Sequence, residues 1–272
     1  MEFKSAELSI QTCISAVLRW MDSNKLMLNT EKTEFMIVGS AFRIDQVESK
    51  SIKIMDIEIP FQQSVKYLGV KLDQSLTMSD HISEVCRKSF LSVRRISTIR
   101  SYLSEDDTAC LVSSFITSHI DFCNSSLVGI PSAQIDRLQK IQNCAARLIT
   151  RKKKFDHITQ ILKQLHWLPI KFRIQFKLAL LAYRHFDGSL PSYLSSVLST
   201  YKPPRNLRSS SERLLQIPRV NLKTAGERSF RYAAPSVWNS LPCSIRNIST
   251  LSQFKSHLKT HLFCQAFPPE EQ

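Results

Sequence analysis

The stretch VKYLGVKLDQSLTMSDHISEVCRKSFLSVRRISTIR, residues 65–100, contains the change of pattern on which the fold turns. Its first part alternates apolar residues with Lys66 and Lys71, the period of two that a half-buried strand requires. Gly69 sits inside that alternation, which predicts a bulge or the close approach of another backbone. From Ser79 the period lengthens to that of a helix. Ile82, Val85, Cys86, Phe90, Val93 and Ile96 share one face, and Arg87, Lys88, Arg94 and Arg95 lie off it. Short strands before this point and helices after it give the expected fold class: α+β, mainly α.

Working outward, residues 4–24 space Ile10, Ile14, Val17, Leu18 and Met21 at three and four, which predicts a helix with one buried stripe. Residues 34–38, EFMIV, end at Gly39 and read as a short strand. SIKIMDIEI, residues 51–59, has β-branched residues at 52, 54, 57 and 59 and predicts a hairpin turning at Met55-Asp56. Downstream, one helix is expected from about Glu105 through Leu111, Val112, Phe115, Ile116 and Ile120. A second follows Pro131 and ends in RKKK, Arg151 to Lys154, where cations favour a helix C-terminus. A third has Pro169 as its first residue, carries Ile174, Leu178, Leu181 and Ala182, and is closed by Gly188. The last starts at Thr250, with Gln253 as a capping-box partner, and buries Leu251, Phe254, Leu258 and Leu262. KPPRNLRSSSER, residues 202–213, has no apolar period and reads as a basic loop or linker.

The 272 residues are 43% apolar, enough to form a core and to exclude whole-chain disorder. The five glycines are too dispersed to build a G-x-G-x-x-G turn, a P-loop or a G-x-S-x-G elbow. Seven cysteines are scattered without a C-x-x-C pair, which fits a reducing compartment. MEFKSAEL places charges where a signal peptide needs an apolar core, and no apolar run is long enough for a bilayer. The expectation is a soluble chain of the cytoplasm or nucleus with no membrane partner.

Charge is unevenly placed. Residues 1–136 carry 14 Lys and Arg against 17 Asp and Glu, whereas residues 137–272 carry 23 against 6. Such an excess repels itself, and a polyanion that releases counterions on binding is the usual compensating partner.

Three constellations could carry chemistry. Asp106-Asp107 would matter as a Mg²⁺ pair, but Ser104-Glu105-Asp106-Asp107 opens a helix, where Ser caps and acids stabilise the macrodipole. His257 and His261, with Cys264 and Cys243, make a zinc site conceivable; the apolar face of the same helix favours ordinary half-exposure. Trp167, Phe172, Phe176 and Tyr183 are interleaved with Lys171, Arg173, Lys177 and Arg184. The rings either stack bases or pack a core, and the cations are phosphate candidates either way.

Seven segments in order carry a resemblance. WMDSNKLMLNTEKTEFMIVGS (residues 20–40), VKYLGVKLDQSLTMSDHI (65–82), IQNCAARLIT (141–150), LHWLPIKFRIQFKLALLAY (165–183), PSYL (191–194), AAPSVWNSLP (233–242) and FKSHLKTHLF (254–263) resemble the downstream part of LINE-type, non-LTR retrotransposon reverse transcriptases of the jockey and chicken-repeat lineages. The resemblance implies an end of palm over residues 1–78, its sheet a short antiparallel remnant, a helical thumb over 79–155 and a basic helical C-terminal region over 156–272. It implies that Asn29, Lys32, Thr33 and Glu34 match polymerase motif D, whose Lys assists pyrophosphate departure, and that Tyr67-Leu68-Gly69 matches motif E, the primer grip. The metal-holding aspartates of motif A and of the Y/F-x-D-D hairpin precede the segment that this chain matches, and no Y/F-x-D-D occurs in it.

Metal ions supply the main electrostatic stabilisation in phosphoryl transfer, so no polymerisation by this chain alone is expected. No catalytic residue, metal ligand or cofactor is assigned to it, Mg²⁺ being implied only for an intact family member. The expected partners are RNA and DNA, bound without sequence preference, and a missing palm and fingers segment supplied in trans. The candidate contacts are Lys32, Tyr67, Gly69, Lys71, Arg87, Lys88, Arg94, Arg95, Arg147, Arg151, Lys152, Lys153, Lys154, Arg173 and Lys177. Two alternatives stand beside this reading: a helical protein-interaction module, and an active polymerase whose upstream exons or palm lie elsewhere.

Overall fold

The structure, a computed structural model, describes residues 2–47, 51–54, 57–203, 213–222 and 225–268. The chain divides into two compact units, Met1–His81 and Ile82–Gln272.

In the first unit, α1 (Glu2–Ser23) is followed by a 3-10 turn (Thr30–Lys32), α2 (Ala41–Asp45) and two antiparallel hairpins. β1 (Ser51–Ile54) pairs with β2 (Ile57–Pro60), setting Ile52 opposite Ile59 and Ile54 opposite Ile57. The expected hairpin is therefore present, while its turn at Met55-Asp56 lies outside the described residues. Ile52, Ile54 and Ile59 are buried, and Ile14, Leu18, Leu28 and Phe35 pack against them in part.

Three expectations need correction here. The stripe of α1 is only partly buried: Ile14, Leu18 and Met21 are half-buried but Ile10 and Val17 are 41% and 47% exposed, because a face of three isoleucines is too narrow to cover a 22-residue helix. Residues 34–38 are not a strand. Phe35 makes a single bridge to Phe61, and without a continuous neighbour no ladder extends from it. The alternation at 65–73 is not one strand but two, β3 (Ser64–Tyr67) and β4 (Val70–Asp73), with Tyr67 opposite Val70 and Lys66 opposite Lys71. Leu68 (φ 46°) and Gly69 (φ 89°) supply the positive φ at both central positions that a type I′ turn requires. After β4, the Asp73 carboxylate accepts from the amides of Thr77 (2.9 Å) and Met78 (2.7 Å), holding a loop in which Leu76 and Met78 also have positive φ.

Helix α3 (Ser79–Ile99) crosses the boundary between the units. It buries Ile82, Cys86 and Ile96, but Ser89 turns inward where Phe90 was expected, leaving that ring 44% exposed. α4 (Glu105–Val112) opens on a capping box: the Ser104 hydroxyl accepts from the Asp107 amide at 3.0 Å and the Asp107 carboxylate accepts from the Ser104 amide. Asp107 thus caps a helix. A π-helical turn, Ser113–Thr117, joins α4 to α5 (Ser118–Asp121). The wider turn carries Phe115 off the buried face, so it is exposed rather than in the core.

The remaining helices are α6 (Ser132–Thr150), α7 (Ile158–Gln164), α8 (Ile170–Phe186), α9 (Ser192–Ser195), α10 (Ala225–Arg228), α11 (Phe230–Asn239), α12 (Cys243–Arg246) and α13 (Leu251–Ala266). α8 is the hub, packing on α6, α11 and α13. Its Tyr183 stacks on Phe254 (4.3 Å between centroids) and donates to the Ser249 carbonyl at 2.7 Å. Trp238 closes the group against Phe186 and Phe254. Rings of this size buried together dominate a core. A polar clamp starts α8: Gln142, buried, donates to the Leu168 carbonyl at 2.9 Å, and Gln139 accepts from the Ile170 amide at 3.0 Å. Gly188, at φ 75°, follows the end of α8, and Thr250 caps α13 by accepting from the Gln253 amide. Residues 204–212 of the basic Pro/Arg/Ser stretch lie outside the described residues. No described helix is long and apolar enough to cross a membrane.

Candidate nucleic-acid interface

A helix leaves its last carbonyls without partners, and how α6 resolves this shapes the most basic part of the chain. Arg100, from the 3-10 turn Arg100–Tyr102, reaches across 48 positions and donates from Nε to the Leu148 carbonyl at 2.8 Å and from Nη2 to the Ile149 carbonyl at 2.7 Å. Its Nη1 donates to the Leu103 carbonyl at 2.7 Å, so the guanidinium is spent on backbone. Arg151 then leaves the helix with φ 54° and returns the contact, donating from Nη2 to the carbonyls of Arg100 (3.3 Å) and Leu103 (3.2 Å). Arg147 donates to the Asp156 carbonyl at 3.2 Å.

Two arginines of the basic cluster are thus used to lock the corner. Lys152, Lys153 and Lys154 project from it, exposed, and among the described residues none has an ion-pair partner. Two rings flank them. Tyr102 follows Arg100 in the locked turn and is 88% exposed, and Phe155 follows Lys154 and is 91% exposed. Sequence reading passed over both, since neither belongs to an apolar period, yet an aromatic next to a basic run in a loop is itself a signal for base stacking.

The other candidates fall in separate places. On α3, Arg87, Arg94 and Arg95 are exposed, while Lys88 pairs with Glu84 at 2.6 Å; Phe90 and Leu91 lie exposed among them. In the first unit, Lys32 is exposed on the 3-10 turn, its amide donating to the Asn29 side chain at 3.2 Å. Tyr67 and Leu68, 66% and 78% exposed, stand with Gly69 at the tip of the second hairpin. Lys71 pairs with Asp80 at 3.4 Å, and its amide donates to His81 Nδ1.

Arg173 and Lys177 lie one turn apart on α8 and line a cleft of about 520 Å³. Arg173 is committed within it: Nε donates to Asp121 Oδ1 at 2.8 Å and Nη2 to Oδ2. Lys177 is exposed. Of the interleaved rings, Trp167 and Phe176 line this cleft, half-buried, whereas Tyr183 belongs to the core. Among the described residues no cluster of His, Cys, Asp and Glu is arranged to hold a metal ion; His261 contacts Gln265 at 3.1 Å.

No protein-family model matches the chain, and no solved structure matches it. The chain is similar, at 26% identity over 194 residues, to a Drosophila melanogaster protein described as a probable RNA-directed DNA polymerase from transposon X-element. The matched region takes in 69% of this chain and 20% of that relative, so the chain spans about a fifth of its length. The likeness is therefore a distant one, to part of a protein described as a probable transposon RNA-directed DNA polymerase.

Proposed function

We propose that this chain holds RNA and DNA, without sequence preference, as the post-catalytic portion of a LINE-type reverse transcriptase. In this reading residues 1–78 are the end of the palm, residues 79–155 the thumb and the rest a basic C-terminal region. The observation that carries it is the corner at the end of α6, where three exposed lysines and two exposed rings stand on backbone pinned by Arg100 and Arg151. Cations held on a rigid base neutralise phosphates with little loss of conformational freedom, and rings beside them accept bases of any identity. Phosphoryl transfer is not assigned to these residues, because the one adjacent aspartate pair, Asp106-Asp107, opens a helix and Asp107 is taken up by its cap.

The test is the salt dependence of binding to single-stranded RNA and to duplex DNA. The expected result is a linear fall of log affinity with log salt for both, and affinity indifferent to salt would refute it. A protein-interaction reading draws on α1, whose Leu8, Val17 and Trp20 are exposed. A partner retained by the chain after nuclease digestion, and lost on replacing those residues, would favour it.

A further inference from the structure

The cleft beside α8 is distinct from the α6 corner and has a composition of its own. Ser113 and Thr117 of the π turn form part of one wall, and Trp167 and Phe176 contribute aromatic surface. Lys177 and Lys259, both exposed, lie at its edge. The carboxylate of Asp121 is neutralised by the fork of Arg173, so the two lysines leave the cleft positive. Its volume of about 520 Å³ is within the range of small-molecule sites. π turns occur disproportionately where a helix serves a ligand.

Asn124 lines the cleft and is 6% exposed. Its Nδ2 donates to Asp121 Oδ1 at 3.3 Å, but its Oδ1 is buried and accepts no hydrogen bond among the described residues. A buried acceptor left unpaired is costly, and native structures resolve it with a donor from solvent or ligand.

Positive charge at the edge and aromatic walls together select an anionic molecule with a flat ring. We propose that this cleft receives one unpaired nucleotide of a bound strand, its phosphate between Lys177 and Lys259 and its base against Trp167 and Phe176. The proposal rests on the nucleic-acid reading above and adds a preference to it: a base must leave its stack to enter, so single strands gain a contact that duplexes do not.

Trp167 reports on the cleft once the exposed Trp20 is replaced, because the other tryptophan left, Trp238, is buried in the core and does not line the cleft. In a Trp20→Phe background, adenosine 5′-monophosphate should quench fluorescence saturably, with adenosine and inorganic phosphate each binding at least about tenfold more weakly. Lys177→Ala with Lys259→Ala should weaken the nucleotide, and should lower affinity for an oligo(dA) strand of about 20 nucleotides at least about fivefold more than for its duplex with oligo(dT). Replacing Lys152, Lys153 and Lys154 should instead weaken strand and duplex alike. The cleft proposal is overturned if the strand binds but the mononucleotide does not, if phosphate alone binds as well as the nucleotide, or if the double variant weakens strand and duplex equally. If neither strand nor duplex binds at all, the nucleic-acid reading fails and the cleft proposal falls with it.

Discussion

Arg100 and Leu148, 48 positions apart, are joined by a 2.8 Å hydrogen bond from guanidinium to carbonyl that closes the C-terminal end of α6. Arg100 is 9% exposed and donates to three carbonyls, so nothing shorter or less branched can replace it. Arg100→Ala should cost about 2–4 kcal/mol, because buried carbonyls lose their donors. Arg100→Lys should recover less than half of that, lacking the fork geometry. Urea denaturation of both variants checks this, and a lysine variant as stable as the parent would contradict the assigned geometry.

Because Arg147 and Arg151 are engaged with backbone, the phosphate contacts at the α6 corner should come from Lys152, Lys153 and Lys154. Replacing all three with alanine should reduce the slope of log affinity against log salt by about 2–3, each neutralised phosphate contributing about 0.7–0.9. Their exposure predicts an unchanged melting temperature. Fluorescence anisotropy over a salt series reads the slope directly.

His185 on α8 meets the Ser195 hydroxyl at 2.8 Å from Nδ1 and lies edge-on to Phe186. Burial holds its pKa below the ordinary value of 6.5, so the folded chain favours the neutral ring. Unfolding therefore takes up a proton in acid. The contribution of His185 is fully present above about pH 6.5 and is lost as pH falls from there through the lower folded value. His185→Gln should flatten the fall in stability between about pH 7.5 and pH 5. Denaturation curves at the two pH values, compared between parent and variant, test it; parallel losses in both would count against a depressed pKa.

Leu68 holds φ 46° at an exposed hairpin tip, a conformation that costs a branched side chain and suits asparagine. Leu68→Asn should stabilise the β3–β4 hairpin by about 0.5–1 kcal/mol and slow hydrogen exchange of its amides about two- to fivefold. Faster exchange would mean that Leu68 makes contacts its exposure does not suggest.

The long helices after Ser79 were readable because each has a partner for its apolar face, and periodicity reports that face directly. The Ser104 cap was readable for a similar reason, since it acts within one turn, but the bond that the Asp107 carboxylate returns to the Ser104 amide was not. What else escaped depends on residues distant in the chain. The exposure of Ile10 and Val17 follows from how little sheet there is to cover α1, which the helix's own sequence does not record. The β3–β4 turn was hidden because leucine, not Asn or Asp, precedes Gly69. At the interface, the basic residues were legible as a group, but their division was not. Only the carbonyls of Arg100, Leu103 and Asp156 and the carboxylate of Asp121 separate Arg147, Arg151 and Arg173, which are engaged, from Lys152, Lys153, Lys154 and Lys177, whose side chains have no ion-pair partner among the described residues.

The π turn at Ser113–Thr117 fits one residue more into its span than a regular α turn would. A single-residue deletion there converts the segment to ordinary helix and leaves Asp121 in phase with Arg173. The same deletion midway along α8 would offset every later side chain by about 100° and scatter the aromatic core. The stretch between Val112 and Ser118 is consequently a place where related chains can differ in length by one without losing their architecture.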